Sequence, residues 1–345
     1  MRTCIQVTGD GDWDTTVAYV QEAERLGVDV CWVAEAWGSD AVTPLAFLAA
    51  STERILLGSG IAQVGTRSAA LIAMTALTMQ RVSHGRFLLG LGASGPQVME
   101  GLHGVEFAKP RSRLADVLDV LELASAGEKI TADSDTLTLP LPGGGGKSLR
   151  LSQGSPDVPI PVYIASMSPR MLELTGARAQ GWIGTSFIPE GADDAYFAHL
   201  RRGAASAGRT LADIDLCQGA EVAFGDDLAA MAAERKAGLA FSLGGMGSAD
   251  TNFYNQAYGR QGYADVAAEA QRLWVTGDRT GAAAIIPDEM VLGTTLIGPE
   301  EHVVARLRAW KDAGINSIRL YPAGDSWDER LATLARALEL IEALA

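Results

Sequence analysis

The residues that could do chemistry in this chain gather where apolar, strand-like runs end, and they are few. Glu35 follows one such run in Ala34-Glu35-Ala36-Trp37, and Ser59-Gly60-Ile61-Ala62-Gln63 ends another ahead of Gly65, Thr66 and Arg67. Further runs deliver Gly90-Leu91-Gly92-Ala93-Ser94-Gly95, Ser166-Met167-Ser168-Pro169-Arg170 and Thr185-Ser186. Almost none of these is a strong acid, base or nucleophile. A site lined by glycine, serine, threonine and apolar side chains, with one carboxylate, suits a bound cofactor that carries the reaction itself. Hydrolytic chemistry fits poorly, because there is no Ser-His-Asp set with a GxSxG elbow and no visible pairing of carboxylates. Four scattered histidines and three cysteines at unrelated spacings give no metal-ligand pattern, so no protein-bound metal is expected.

Each candidate has a plainer reading beside the functional one. Pro169 suits the first turn of a helix through Met171, Leu172, Leu174 and Thr175, so its free amides and the Ser166 and Ser168 hydroxyls can face a phosphate, with Arg170 adding charge. The alternative is a serine N-cap beside an exposed arginine. Glu35 is placed to hydrogen-bond a cofactor ring or substrate, or else to pair with an arginine. Trp37 and Trp327 line a pocket or simply pack. Glycines 90, 92 and 95 meet the GxGxxG spacing, but no helix is expected immediately after them and the first-strand context is missing, which argues against a dinucleotide fingerprint.

The elements that must position these residues follow from a repeated junction. Arg25-Leu26-Gly27, Ser83-His84-Gly85, Ala179-Gln180-Gly181 and Asp312-Ala313-Gly314 each end a helical pattern at glycine just before an apolar strand, as the short αβ turns of a parallel sheet require. The first helix, from Trp13 to Leu26, shows the period in Val17, Val20, Ala23 and Leu26, after a loop holding Gly9, Asp10, Gly11 and Asp12. Strands are expected at 2–7, 28–34, 55–61, 87–91, 162–165, 182–184, 216–224 and 317–321, eight in all. Eight strands alternating with helices in 345 residues predict a (β/α)8 TIM barrel, with a doubly wound open sheet as the alternative. The chain reads as a single domain, 1–345, with insertions at about 93–110, 131–161 and 238–298. The last is rich in aromatic residues and reads as a packed helical insertion, a lid, or both. Cys4, Cys31 and Cys217 lie in apolar runs and are expected to be reduced core residues.

Composition narrows the partners. Hydrophobic residues make up 48% and charged ones 20%, enough for a large core. A formal net charge of −14 argues against nucleic acid and anionic membrane surfaces. No apolar run reaches the length of a membrane span and the start lacks a signal peptide's apolar block, so a cytoplasmic protein with a small-molecule substrate is expected.

Three stretches, Ile55 to Ile61, Gly85-Arg-Phe-Leu-Leu-Gly-Leu-Gly-Ala-Ser-Gly-Pro-Gln-Val-Met-Glu-Gly101, and Pro161 to Ala165 with Ser168-Pro169, resemble the luciferase-like flavin and deazaflavin oxidoreductases, specifically the branch using coenzyme F420. The resemblance spans nearly the whole chain and is weakest over 225–295. It implies a bacterial luciferase-like TIM barrel, a homodimer, and a non-prolyl cis peptide that maps to Gly60-Ile61. It places Glu35, Gly60, Ile61, Gln63, Ala93, Ser94 and Val98 around the deazaflavin ring and ribityl chain, and Met167, Ser168, Arg170 and Met171 near the phosphate. The sugar-phosphate dehydrogenases of the family carry an aspartate-histidine pair after strand two and a glutamate after strand four. Here those places hold Glu35-Ala36 and Gly95, so the chain is more similar to the methylenetetrahydromethanopterin reductase group. The resemblance therefore implies hydride transfer between deazaflavin C5 and an organic substrate, reducing an activated C=C or C=N bond, with Glu35 the candidate catalytic side chain. The alternatives are an FMN-dependent monooxygenase of a two-component system and a non-catalytic flavin- or deazaflavin-binding protein.

Overall fold

The computed structural model describes residues 1–8, 11–247 and 251–344. Residues Gly9 and Asp10 of the expected first loop, and 248–250 of the third insertion, lie outside the described residues. Eight strands carry the repeat: β1 (Arg2–Val7), β2 (Val30–Val33), β3 (Leu56–Ser59), β4 (Phe87–Gly92), β5 (Val162–Ala165), β6 (Gly181–Gly184), β7 (Asp215–Phe224) and β8 (Ser317–Pro322). Their hydrogen-bonded order is β7-β8-β1-β2-β3-β4-β5-β6, and β6 also pairs β7. Parallel registers such as Val30↔Leu56 and Cys217↔Ser317, with helices between successive strands, make this a (β/α)8 barrel.

Local chemistry explains the alternation. Asp12 caps the first helix (Trp13–Arg25) by accepting from the Thr15 amide at 3.0 Å, and Ser68 caps Ala69–Val82 through the Leu71 amide at 3.2 Å. Gly27, Gly85 and Gly314 then adopt φ of 95°, 84° and 107°, the left-handed conformation that closes a helix before the next strand. Gly181 differs from the other three junction glycines. It lies inside β6, where a Cβ would stand 2.1 Å from the Tyr163 ring, so it serves close packing rather than the turn.

The chain divides into two units by its internal contacts: Met1–Ile5, Ser166–Ala177 and Gly184–Ala345 in the first, Gln6–Ala165 and Arg178–Ile183 in the second. In the second unit, the 93–110 segment contains a one-turn helix, Pro96–Met99, with Gly95 at its N-cap. A helix thus does begin right after Gly95, contrary to expectation, because Pro96 supplies a first-turn φ. Residues 131–161 hold a small antiparallel hairpin, Ala132–Asp133 with Thr138–Leu139. In the first unit, the 238–298 segment is helical, with Phe253–Tyr258, Ala264–Val275, Arg279–Ala284 and Asp288–Thr294 following the end of Leu228–Gly244. Its Leu239, Leu243, Tyr258, Ala267, Ile286 and Met290 are buried in one cluster with Ile188, Ala232 and Ala223 of β7. It also contributes a further short parallel strand, Leu296–Gly298, on β7, which its three residues made invisible to periodicity. Among the described residues no helix is long and apolar enough to cross a membrane. All three cysteines are buried and stand outside any disulfide, and burial pushes the Cys31 thiol up to about 12.

Candidate functional site

The glycines of Gly90-Leu-Gly92 serve packing before they serve any ligand. A Cβ at Gly90 would stand 1.8 Å from the Ser59 carbonyl oxygen, and one at Gly92 would stand 2.7 Å from Ile61 Cγ1. Only glycine lets β4 approach the end of β3 so closely. Ser59 completes the contact by donating to the Gly90 carbonyl at 2.8 Å and accepting from the Gly90 amide at 3.0 Å. The Gly60–Ile61 peptide is cis, where the resemblance places it. Beyond it, Ala62 and Gln63 pair again with Leu91 and Gly92 of β4. Ala93 and Ser94 follow β4 half-buried, Ser94 with φ of 62°, and Val98 sits half-buried on the one-turn helix.

Glu35 has the arginine partner that its plainer reading required. Its Oε1 accepts from Arg67 at 2.5 Å and from the Gln63 amide at 3.1 Å, and its Oε2 accepts from Arg67 at 2.7 Å and the Ala41 amide at 3.0 Å. Burial disfavours the charged form, but the guanidinium and the two amides outweigh it and hold the carboxyl below its ordinary value. Four donors on two oxygens leave this carboxylate neither a proton to give nor a free place to take one. Through these bonds Glu35 ties the Gln63 and Ala41 amides to Arg67 at the ends of β2 and β3. Gln63 is 1% exposed; its Nε2 donates to the Ala36 carbonyl at 3.2 Å, while its Oε1 is buried without a donor.

In the first unit, Met167, Ser168, Arg170 and Met171 come together on one turn. The Ser168 carbonyl accepts from the Met171 and Leu172 amides at 3.0 and 2.9 Å, which makes Ser168 the N-cap of the helix Pro169–Arg178. Met167 and Ser168 are half-buried, Arg170 is exposed and Met171 is buried. Ser166 does not keep its hydroxyl for a ligand as expected, since Oγ pairs with Thr175 Oγ1 at 2.8 Å in the interior.

Arg260 is the side chain that the sequence reading missed. It comes from the turn Gly259–Tyr263, donates to the Met167 carbonyl at 2.7 Å, and keeps Nε buried with no partner. Burial pulls its pKa down, and no ion pair among the described residues compensates it. Its neighbour Gln261 ties the same turn to the end of β6: Nε2 donates to the Ser186 carbonyl at 2.7 Å and Oε1 accepts from the Ile188 amide at 2.7 Å. The signal available in sequence was a lone basic residue within an aromatic-rich helical stretch. Trp37 is exposed, and Trp327 stacks under Arg330 with the guanidinium 5.3 Å from the ring.

Gln63 Oε1 is thus a buried acceptor with no donor beside a glycine-rich bulge, able to take an N–H. Within the first unit, a helix start beside a partly buried arginine with no ion pair among the described residues is able to take an anion.

Comparison with known proteins gives the same direction. Residues 2–317 match the luciferase-like monooxygenase family. A Mycobacterium tuberculosis protein, named provisionally as a coenzyme F420-dependent oxidoreductase, is 38% identical over 303 residues, covering 86% of this chain and 87% of its own. The 5,10-methylenetetrahydromethanopterin reductase of Methanolobus tindarius is 27% identical over 303 residues, with 87% of each chain covered. Among solved structures, the coenzyme F420-dependent tetrahydromethanopterin reductase of Methanopyrus kandleri superposes with a TM-score of 0.79 at 19% identity, over 97% of both chains, which establishes the shared fold.

Proposed function

Because the chain belongs to the luciferase-like monooxygenase family, we propose that it is a coenzyme F420-dependent oxidoreductase that passes a hydride between the deazaflavin and a small organic substrate. The bound coenzyme supplies the hydride chemistry at C5. Glu35, held by Arg67, fixes Gln63, whose Oε1 accepts from the imide of the ring. Gly60, Ile61, Ala93, Ser94 and Val98 line the ring and ribityl chain. Met167, Ser168, Arg170 and Met171 take the phosphate with Arg260. The observation that carries this reading is the buried Gln63 Oε1 with no donor, next to a strand end whose sole carboxylate is fully occupied. Reduction of an activated C=C or C=N bond is the reaction we assign, since acceleration then comes from positioning and burial, not from an acid-base pair.

A second copy of this chain is the partner we assign. On the helix Ala69–Val82, Leu71, Met74, Thr78 and Val82 are exposed at spacings that place them on one face, while Ile72, Ala73, Ala76, Leu77 and Met79 are buried. A helix apolar on both sides calls for cover on both.

The deciding experiment titrates the purified chain with F420 and with FMN, followed by fluorescence. Selective F420 binding, weakened about tenfold or more by Ser168→Asp through repulsion of the phosphate, supports the assignment. Preference for FMN, with oxygen-dependent turnover when reduced FMN is supplied, replaces it with a two-component monooxygenase. Aspartate is as good an N-cap as serine, so the variant should keep its helix.

A further inference from the structure

A buried arginine in this molecule can be fully satisfied, and Arg86 shows how. It is 9% exposed and donates to the Ala49, Thr52, Ile55 and Ser83 carbonyls and to the Thr52 hydroxyl, all at 2.9 to 3.0 Å. Arg319, the third residue of β8, is buried more deeply at 5% exposure and has far less. One Nη donates to the Gly184 carbonyl at 3.3 Å, the neutral Tyr321 hydroxyl is a second hydrogen-bond partner, and Nε is buried with no partner. No ion pair among the described residues involves it, and the carboxylate in that part of the sheet, Glu221, is committed to Arg235 at 2.5 Å.

What surrounds Arg319 is aromatic and neutral. Its guanidinium carbon lies 5.7 Å from the Tyr321 ring, its strand neighbours in register are Cys4 and Gly219, and Tyr254 lies within electrostatic reach of both Arg319 and Tyr321. Tyr254 and Tyr321 are each half-buried, so both phenol-bearing side chains keep some exposure to solvent. A Cβ at residue 219 would stand 2.7 Å from Tyr321 Oη and 3.0 Å from the Arg319 Nη, so glycine there keeps the polar edge of the pair uncovered.

Arginine cannot shed its charge, and an uncompensated cation away from water is costly. We propose that Arg319, with Tyr321 and Tyr254, is a binding site for the carboxylate of a small organic acid, which is the substrate. The guanidinium fork matches two carboxylate oxygens, the phenols supply further O–H donors, and their rings flank an apolar body. A single buried cation compensates a monoanion and not a phosphate dianion. The substrate role rests on the oxidoreductase reading above; binding of the carboxylate does not.

The test uses cinnamate and its neutral amide, cinnamamide, titrated into the full chain by calorimetry, with F420 titrated separately. Cinnamate should bind at least about tenfold more tightly than cinnamamide, and Arg319→Met should erase that preference while leaving F420 affinity unchanged. Tyr254→Phe, which keeps the ring and should fold even where Arg319→Met does not, should weaken cinnamate about threefold to tenfold and leave cinnamamide unmoved. Equal binding of acid and amide, or a preference that survives in Arg319→Met, overturns the site. If F420 fails to bind while the acid preference and its loss in the variants hold, the carboxylate site stands and the oxidoreductase reading falls.

Discussion

Glu35 accepts two hydrogen bonds from Arg67 and one each from the Ala41 and Gln63 amides, in a part-buried setting. Glu35→Gln leaves the guanidinium uncompensated and should cost about 2 to 4 kcal/mol, read from the urea midpoint at neutral pH. The pH dependence has a definite sign. The folded-state pKa is lowered, so the stability from Glu35 is present above its unfolded value of about 4.3 and is lost as pH falls through the lower folded value. The gap between parent and variant should therefore be full at pH 7 and shrink below about pH 4. A gap that stays constant into acid would show that the pair is not the source. At the proposed phosphate contacts of the first unit, Arg260→Met should weaken F420 binding about tenfold or more and shift pyrimidine-ring analogues lacking a phosphate hardly at all. The residue types at the strand ends were legible in sequence because motif and spacing are local. The partners were not: Glu35 and Arg67 are 32 positions apart, and Arg260 is 93 positions from the carbonyl it grips.

Elements meet in this fold wherever two backbones can approach, and glycine sets those places. The helix Pro169–Arg178 crosses Ala198–Ser206 at Gly176 and Gly203. A Cβ on Gly176 would lie 2.1 Å from the Leu200 carbonyl oxygen, and one on Gly203 would lie 1.9 Å from that of Glu173. Both clashes are with backbone, which cannot swing aside, so Gly203→Ala should destabilise by about 2 to 3 kcal/mol despite its better helix propensity. Thermal unfolding checks this, and unchanged stability would mean that the helices separate freely. The same crossing carries the helix whose N-cap is Ser168, so the variant should also loosen F420 binding. Four helix–glycine–strand junctions set the rule by which the eight barrel strands could be read, since each is a local pattern repeated. A glycine's reason was harder to read: Gly181, Gly176 and Gly203 look like turn or helix glycines, and their cause is a neighbour remote in sequence. The 238–298 region resisted for a related reason, because its helices bury their faces on one another through small residues such as Ala267, Ala270 and Ala282 rather than through long apolar stripes.

At the scale of the whole molecule, the charge and the exposed apolar surface make opposite demands. A net charge of −14 keeps copies apart at long range. Yet Phe47, Leu71, Met74 and Val82 stay between 43% and 52% exposed on two helices of the second unit that lie side by side, Val42–Ser51 and Ala69–Val82. No lysine, aspartate or glutamate occurs in either helix, and the one arginine is Arg81 in the last turn of the second. A surface helix of a monomer ordinarily carries its charge on the solvent side, and a contiguous apolar patch marks an association surface. Association across such a face is driven by apolar burial, which salt does not screen, whereas the repulsion between two acidic chains is screened. Raising the salt concentration should therefore tighten the assembly. Light scattering should find two chains per particle in the parent. Met74→Glu places a carboxylate in the middle of the stripe and should give one chain per particle, with circular dichroism and F420 affinity unchanged because none of the proposed ligand contacts lies on that helix. A parent that is monomeric at every protein and salt concentration would refute the assignment. A dimer indifferent to Met74→Glu would move the interface elsewhere and leave the apolar stripe without a role.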